Sequence, residues 1–414
     1  MSRPFLTILA FTCVVTVLSY RTVTKLNVPG SLDEQRWGLI DFRDQIYYPV
    51  VALLHGDNPY DPVTHARHYP VARILAPYSP LSLIVHAPFG LLPLGVAEAV
   101  YYLLVLLLTL LLARFILSLC GGVASTAAVF GVATLLLLSR PGHWNLVIGQ
   151  FAVQSVLATY VALYYGHSRP AIAGLALAVA TFKPTFGIPL AALMIARKDI
   201  RAALIGLVVA GVLTGIATAL LVHAAGGLGA FAHSIAAGLR AWSTDSAVDP
   251  VASPFRVDAA ALVSRLLGRP LGVATNAAIS IGVLAFAALC LRHLAGRPDT
   301  LTNRRFAASL GSLAILTSVY HLEYDGLLLA LPITLLATTA RWSPLPNTPG
   351  VLRWVLLGLL SVPAANYLAS GNAIERLHLA AGWRLAVTSV NGLALVAALL
   401  LFAGPVLVRR GTGG

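Results

Sequence analysis

The run VAEAVYYLLVLLLTLLLARFILSL, residues 96–119, carries only two charged side chains, Glu98 near its start and Arg114 near its end. About 20 apolar residues in an α-helix are enough to cross the hydrocarbon core of a bilayer. The whole chain follows this pattern, with 58% hydrophobic and 10% charged residues, whereas soluble domains usually have about 25% charged residues. The composition therefore predicts an all-α polytopic membrane protein, because helices satisfy their own backbone hydrogen bonds in lipid.

Further apolar runs lie on both sides of this segment, and they are continuous rather than alternating, which disfavours a β-barrel. We expect a bundle of about 10–12 transmembrane helices. The other apolar runs are residues 5–20, 123–138, 146–165, 171–196, 202–222, 271–291, 306–320, 327–340, 351–368 and 385–408. Basic residues punctuate the short loops between them, which predicts cytoplasmic N- and C-termini. The net charge of +13 has the same origin and does not indicate nucleic-acid binding.

We expect a single domain, residues 1–414, with two long outer loops. The first, residues 26–95, carries short amphipathic helices, and the second covers residues 223–269. In this topology every acidic residue except Asp199 and Asp299 lies on the outer side. Because ionised carboxylates are costly beside hydrocarbon and are usually functional there, the active site is expected at the outer face.

Residues 171–196 are long enough for one span, but Lys183-Pro184 interrupts their middle. A broken helical hairpin with Lys183 near its tip and a single kinked span both fit this pattern. A lone lysine between apolar runs costs about 2.5–3.5 kcal/mol to insert. Lys183 is therefore a candidate phosphate partner, and snorkelling towards water is the alternative.

The first outer loop contains the stretch DFRDQIYYPVVALLHGDNPYD, residues 41–61, with four of the 15 acidic residues of the chain. Asp41 and Asp44 are three residues apart and share one face of a helix, which Tyr48 extends. A carboxylate on that face is a candidate general base. An amphipathic helix on the membrane surface would explain the same pattern without chemistry.

Three further polar positions are expected near the same face. Gln150 begins a span, where it contacts either substrate hydroxyls or a neighbouring helix. His321 and Glu323 lie with Asp325 where one span ends and the next begins, which is also compatible with a plain solvated turn.

Several other classes of site lack their sequence signals. The chain has no HExxH or similar ligand spacing, so no metal site is predicted. It has no GxxxxGK[ST] or GxGxxG motif, so no nucleotide cofactor is expected. The three cysteines lie in or beside apolar runs without a CxxC pair, which favours packing over disulfides.

Four segments, in order, resemble glycosyltransferase family 87. They are residues 41–61, PYSPLSLIVHAPFGLLP at 77–93, NLVIGQ at 145–150 and FKPTFGIPL at 182–190. The resemblance runs from about residue 38 to 200 and more loosely to about 340. Members of this family are integral-membrane enzymes of the GT-C fold, including polyprenyl-phosphate-mannose-dependent α-mannosyltransferases. The resemblance therefore implies a GT-C-like bundle.

The resemblance also implies residue roles. The aspartate early in the first outer loop is the catalytic base, and Asp41 matches it best, with Asp44 as the alternative. A histidine at the outer end of a late span assists the base, and His321 fits. Expected substrate-binding residues are Asp44, Tyr48, Tyr78, Gln150, Lys183 and Glu323.

The implied reaction is an inverting transfer of a hexose, mannose above all, from a polyprenyl-phosphate donor. The acceptor is a lipid-linked or glycan molecule at the outer face of a bacterial plasma membrane. The leaving phosphate needs cations, for which Arg36 and Arg43 are candidates besides Lys183. A secondary transporter or lipid flippase is the alternative function, because broken helices and isolated intramembrane charges are also typical of transporters.

Overall fold

The computed structural model describes residues 2–33, 35–73, 78–339 and 350–407, except for the side chain of Pro405. Within these ranges the chain is helical, and its only β-type pairings are the single bridges Leu26–Gly38 and Arg256–Leu322. The predicted all-α polytopic membrane fold is confirmed. Arg341, which follows the predicted run 327–340, and the pair Arg409-Arg410, which follows the predicted run 385–408, lie outside the described residues.

The helices follow one another with short connections. In chain order they are α1 Arg3–Thr24, α2 Ile40–Phe42, α3 Tyr48–Leu54, α4 Pro62–His68, α5 Pro80–Gly90, α6 Leu94–Leu119, α7 Thr126–Leu138, α8 Arg140–Ile148, α9 Ala152–Tyr165, α10 Pro170–Ala180, α11 Pro184–Ala196, α12 Ile200–Ala224, α13 Leu228–Ser243, α14 Ala259–Leu267, α15 Val273–Leu294, α16 Leu301–Ser318, α17 Ala330–Thr338, α18 Gly350–Ala365, α19 Gly371–Arg376 and α20 Ala381–Leu407. A π-helical turn, Arg43–Tyr47, joins α2 to α3, and 3₁₀ helices cover Glu323–Leu329 and Tyr367–Ala369.

Six helices in the described part of the chain are long and apolar enough to cross a membrane. They are α1, α6, α12, α15, the segment Gly350–Ala369 that contains α18, and most of α20. Four apolar helices are shorter, namely α5, α7, α10 and α11. Two expected spans are divided: Lys183-Pro184 separates α10 from α11 within run 171–196, and Gly149 ends α8 within run 146–165, before α9 begins.

Helix α16 lies deep in the bundle, and its residues from Arg305 to Ser318 are all buried. It leads into the 3₁₀ helix Glu323–Leu329, which α9 fixes through Tyr160. The Tyr160 hydroxyl donates to the Leu328 carbonyl at 2.9 Å and accepts from the Leu331 N–H at 3.0 Å. These bonds hold the acidic 3₁₀ helix against the centre of the bundle.

A second buried element is the helical stretch formed by α2, the π turn and α3. Pro49 has no N–H to donate and crowds the preceding turn, and the wider π turn lies directly before it. Asp41 and Asp44 are only 6% and 5% exposed, while Phe42 on the other side is fully buried. Protein therefore encloses both faces of this stretch.

Gly149 allows α8 to approach α2. It ends α8 with φ of 73°, a left-handed conformation that favours glycine. A Cβ atom at this position would lie 2.7 Å from the Cβ of Phe42. The next residue, Gln150, is thereby brought beside the acidic face of α2.

Candidate active site

Side chains from distant parts of the chain enclose a cavity of about 990 Å³. Four predicted site residues line it: Asp41, Tyr78, Lys183 and Glu323. Aromatic side chains form much of the remaining wall, and they include Trp37, Trp144, Trp242, Phe255 and Tyr320. The sequence segments 26–95 and 223–269 both contribute to this wall, so the two long loops meet at one site.

Asp41 is held at the cavity wall by two donors. Its Oδ2 accepts a hydrogen bond from Gln150 Nε2 at 2.7 Å, and its Oδ1 pairs with the Arg73 guanidinium. The same Gln150 amide donates to the Tyr78 hydroxyl at 2.8 Å. The predicted residues Asp41, Gln150 and Tyr78 therefore form one connected cluster, although Gln150 itself does not line the cavity.

Asp44 lies behind Asp41 and is fixed by the backbone. Its two oxygens accept the N–H groups of Ala72 and Arg73, each at 3.0 Å. Burial raises the pKa of Asp44 from its ordinary 3.8 to about 6, even though Arg73 and the two N–H groups act in the opposite direction. Asp44 is thus a buried partner of Arg73 and is not among the residues that line the cavity.

Tyr48 was expected to line the cavity but does not. It is buried, with its ring 5.4 Å from that of Tyr47, and burial raises its pKa to about 12. The reason is the π turn, whose i→i+5 bonding rotates later residues away from the positions that α-helical spacing predicts. Gln45, inside the turn, lines the cavity.

Lys183 and His321 meet on one carboxylate, that of Asp325. Lys183 Nζ lies 2.7 Å from both Asp325 oxygens, and His321 Nδ1 lies 2.8 Å from Oδ2. A lysine-paired carboxylate accepts hydrogen bonds, so Nδ1 carries the proton and donates it. All three side chains are buried, and His321 Nε2 has no hydrogen-bond partner among the described residues.

Glu323 projects into the cavity from the same 3₁₀ helix and pairs with Arg140 of α8. Arg140 is fully buried and also donates to the carbonyls of Asn366 at 2.8 Å and Ala369 at 3.0 Å. This guanidinium therefore ties Glu323 to the segment that follows α18.

Sequence reasoning missed Arg73, Asp325 and Arg140 as site residues. Asp325 was noticed beside His321, but nothing local marked it as the shared partner. Arg73 lies in the proline-rich stretch between Pro70 and Pro80, where the sequence shows no helical or strand periodicity. Its partner Asp41 is distant in sequence, so the pairing is seen only in the folded structure. Asn145, the first residue of the NLVIGQ segment, accepts the Val153 N–H near the start of α9 at 3.4 Å and is not among the residues that line the cavity.

An open apolar groove of about 520 Å³ adjoins the cavity between α11 and α12. Ser79 and Pro184 line both spaces. Its α12 wall consists of small and mostly apolar residues, such as Ala210, Gly211 and Gly215. A chain-like apolar group lying in the groove would thus have its end at the cavity beside Lys183.

Comparison with known proteins gives one family. The model of glycosyltransferase family 87 matches residues 77–318, more than half of the chain. The matched segment includes Tyr78, Gln150 and Lys183, begins after Asp41 and ends before His321. No curated protein and no solved structure matches the chain.

Proposed function

The chain belongs to glycosyltransferase family 87 and is a membrane glycosyltransferase, and we propose that it transfers mannose from a polyprenyl-phosphate donor to a lipid-linked or glycan acceptor. The family membership favours this hexosyltransferase reaction over transport or lipid flipping. We place the reaction at the outer face of a bacterial plasma membrane, with both termini in the cytoplasm. No nucleotide or metal takes part in the proposed reaction.

Asp41 is the proposed general base, and its position at the cavity wall carries the proposal. The acceptor hydroxyl attacks the anomeric carbon as its proton passes to the Asp41 carboxylate. The bond from that carbon to the phosphate oxygen breaks, and its electron pair stays on the phosphate. One displacement from the opposite side inverts the anomeric configuration, as in inverting glycosidases. Gln150 fixes the orientation of the base.

The two adjoining spaces suit a lipid-linked sugar and its acceptor. A cavity of about 990 Å³ lies at the upper end of the range for small-molecule sites, about 300–1,000 Å³. Its tryptophan and tyrosine side chains offer flat apolar faces with polar edges. The groove between α11 and α12 is the proposed site of the prenyl tail, because it opens beside the cavity at Pro184.

His321 and Glu323 are proposed to position other groups. His321 donates to Asp325, which in turn holds Lys183 at the cavity wall. Glu323 lines the cavity and is available to accept hydrogen bonds from substrate hydroxyls. Tyr78 is fixed by the same amide that holds the base, so it is proposed as a neighbouring sugar contact.

The test is sugar transfer in membrane vesicles supplied with radiolabelled polyprenyl-phosphate-mannose. We expect wild type to move label to a glycolipid or glycan and Asp41→Asn to lose at least about 100-fold in rate, the contribution typical of a general base. Asp61→Asn is the matched control, because Asp61 caps α4 outside the cavity and asparagine caps equally well. It should keep wild-type activity at equal expression.

Two results would contradict the proposal. Full activity of Asp41→Asn would remove the base assignment while leaving the transferase in place. Failure of wild type with mannose and with every other polyprenyl-linked sugar would remove the proposed donor class.

A further inference from the structure

Arg73 lies at the boundary between the cavity and the two buried carboxylates. Its guanidinium contacts Asp41 through Nη2, and its Nε lies 3.6 Å from Asp44 Oδ2. The Arg73 side chain is 20% exposed, against 7% for Asp41 and 1% for Asp44. The cation is therefore the member of this group that is most open to the cavity.

The guanidinium is incompletely satisfied. Among the described residues, Arg73 Nε has no hydrogen-bond partner although it is buried. A guanidinium has five N–H donors in a rigid fork, and the contacts of Nη2 with Asp41 and of Nε with Asp44 use only some of them. Because Arg73 lines the cavity and its side chain is 20% exposed, a ligand in the cavity can supply acceptors to the exposed part of the guanidinium.

Lys183 and Arg43 are each paired with a carboxylate, whereas Arg384 is exposed. Lys183 faces both oxygens of Asp325. Arg384 lines the cavity on the side formed by later segments and donates to the Ala252 carbonyl at 3.2 Å. Arg43 pairs with Glu98 and is not among the lining residues.

The contact with Asp41 also affects the proposed base. One of its oxygens is paired with Arg73, and the other accepts from Gln150. A carboxylate that takes the acceptor proton needs an oxygen facing the acceptor hydroxyl. In the arrangement observed here, the guanidinium competes for that oxygen.

We propose that Arg73 binds the donor phosphate and exchanges Asp41 for it. This inference rests on the proposed function, and it assigns the phosphate contact to a residue that sequence reasoning did not select. A guanidinium binds phosphate through two parallel hydrogen bonds, which its planar fork suits. Donor binding then releases the Asp41 oxygen at the moment when a sugar is present to be transferred.

The exchange also fits the charge balance of the reaction. The donor phosphodiester carries one negative charge, and the departing polyprenyl phosphate gains a second as the anomeric C–O bond breaks. Arg73 is positioned to stabilise that added charge, while Asp41 receives the acceptor proton. The same movement of one side chain thus serves the leaving group and the base.

The experiment compares Arg73→Gln, Arg73→Lys and a matched control in the full-length protein. Arg67→Gln is the control, because Arg67 is an exposed arginine of α4 that does not line the cavity. Polyprenyl phosphate without sugar is titrated against the purified protein by tryptophan fluorescence, since Trp37, Trp144 and Trp242 line the cavity. Donor KM, acceptor KM and kcat are measured in parallel, together with the apparent melting temperature.

We expect Arg73→Gln to weaken polyprenyl phosphate binding and raise the donor KM at least tenfold, with a smaller change in acceptor KM. Arg73→Lys should recover part of the loss, and Arg67→Gln should match wild type. Unchanged phosphate affinity in both Arg73 variants would overturn the inference. An equal rise in donor KM and acceptor KM that Arg73→Lys does not reduce would also overturn the inference, because that result indicates a structural role. A wild type that binds polyprenyl phosphate through Arg73 but transfers no sugar would contradict the proposed function and retain this assignment.

Discussion

At the scale of single residues, the site consists of carboxylates that share their partners. Asp41 shares Arg73 with Asp44, and Asp325 is shared by Lys183 and His321. Charges buried in this way are tolerated because each has a partner at hydrogen-bonding distance. Removing one member leaves another charge uncompensated, so single substitutions here are expected to affect more than one group.

Asp44 should make stability depend on pH. Its pKa is raised from 3.8 to about 6, which corresponds to about 3 kcal/mol. The folded state therefore holds this proton more tightly than the unfolded state, and the associated stability is present below about pH 4 and lost as pH rises through about 6. We expect Asp44→Asn to melt progressively higher relative to wild type as pH is raised from 4.5 to 7.5.

The measurement is the apparent melting temperature in detergent across that range. Asp61→Asn serves as the control. Burial raises the pKa of Asp61, but hydrogen bonds from Thr64 and Val63 lower it by more, so the net pKa lies below its ordinary 3.8. The effect of Asp61 on stability therefore changes with pH only below about pH 4, outside the range measured. A constant difference between Asp44→Asn and wild type over the whole range would contradict the prediction.

At the scale of elements, three short segments bring the site together. The π turn presents Gln45, the 3₁₀ helix Glu323–Leu329 presents Glu323, and the end of α8 delivers Gln150 beside Asp41. Each is an irregular or terminal piece of helix rather than the middle of a span. Binding residues commonly occupy such positions because a rigid scaffold can support them there.

A substitution at Gly149 tests whether the site requires the close approach of α8 to α2. Gly149→Ala places a Cβ 2.7 Å from the Phe42 Cβ at a positive φ, so α2 and Gln150 must shift apart. Gly56→Ala is the matched control, since Gly56 has φ of 83° but open space around its Cβ position. The strain of a Cβ-bearing residue at positive φ costs about 1–2 kcal/mol on its own.

We expect Gly56→Ala to show only that modest loss in apparent melting temperature and to retain transfer activity. Gly149→Ala should lose more stability and at least tenfold in activity. Equal behaviour of the two variants would mean that the close approach of α8 and α2 is not required.

Continuous apolar runs in the sequence predicted the fold class, which the structure confirms. The sequence also selected Asp41, Gln150 and Tyr78, which are hydrogen-bonded to one another in the structure, and their functional roles remain predictions. Tyr48 was placed wrongly because α-helical spacing does not anticipate a π turn. Arg73 and Asp325 were missed because their partners, Asp41 and Lys183, are distant in sequence. Hydrophobic periodicity does not reveal such pairs. Fewer helices than the expected total of about 10–12 are long enough to span a membrane in the described part of the chain, because prolines and caps divide several apolar runs into shorter helices.

At the scale of the whole molecule, two groups of acidic residues bear on the topology. Asp41, Asp44, Glu323 and Asp325 gather at the cavity. Asp199 and Asp299 instead pair with Arg197 and Arg304, in the segments where basic residues are concentrated. The proposed topology assigns these two groups to opposite sides of the membrane.

Sided labelling tests that topology. In a Cys13→Ser background, His68→Cys and Ser168→Cys each introduce one exposed thiol, while Cys120 and Cys290 are buried. A membrane-impermeant maleimide should label His68→Cys on intact cells and Ser168→Cys only after permeabilisation. The Cys13→Ser parent supplies the background signal, and the reverse pattern would invert the topology.

The partners of the buried cations have a consequence for biosynthesis. Arg140 and Lys183 are made long before Glu323 and Asp325, the carboxylates that neutralise them. During translation the first half of the bundle therefore enters the membrane with two cations whose counter-ions do not yet exist. A chain cut short before the 3₁₀ helix Glu323–Leu329 keeps both charges exposed to lipid or to insertion factors. The two cations therefore gain their carboxylate partners only after synthesis has passed Asp325, and fragments that end earlier differ from the finished protein by two uncompensated charges.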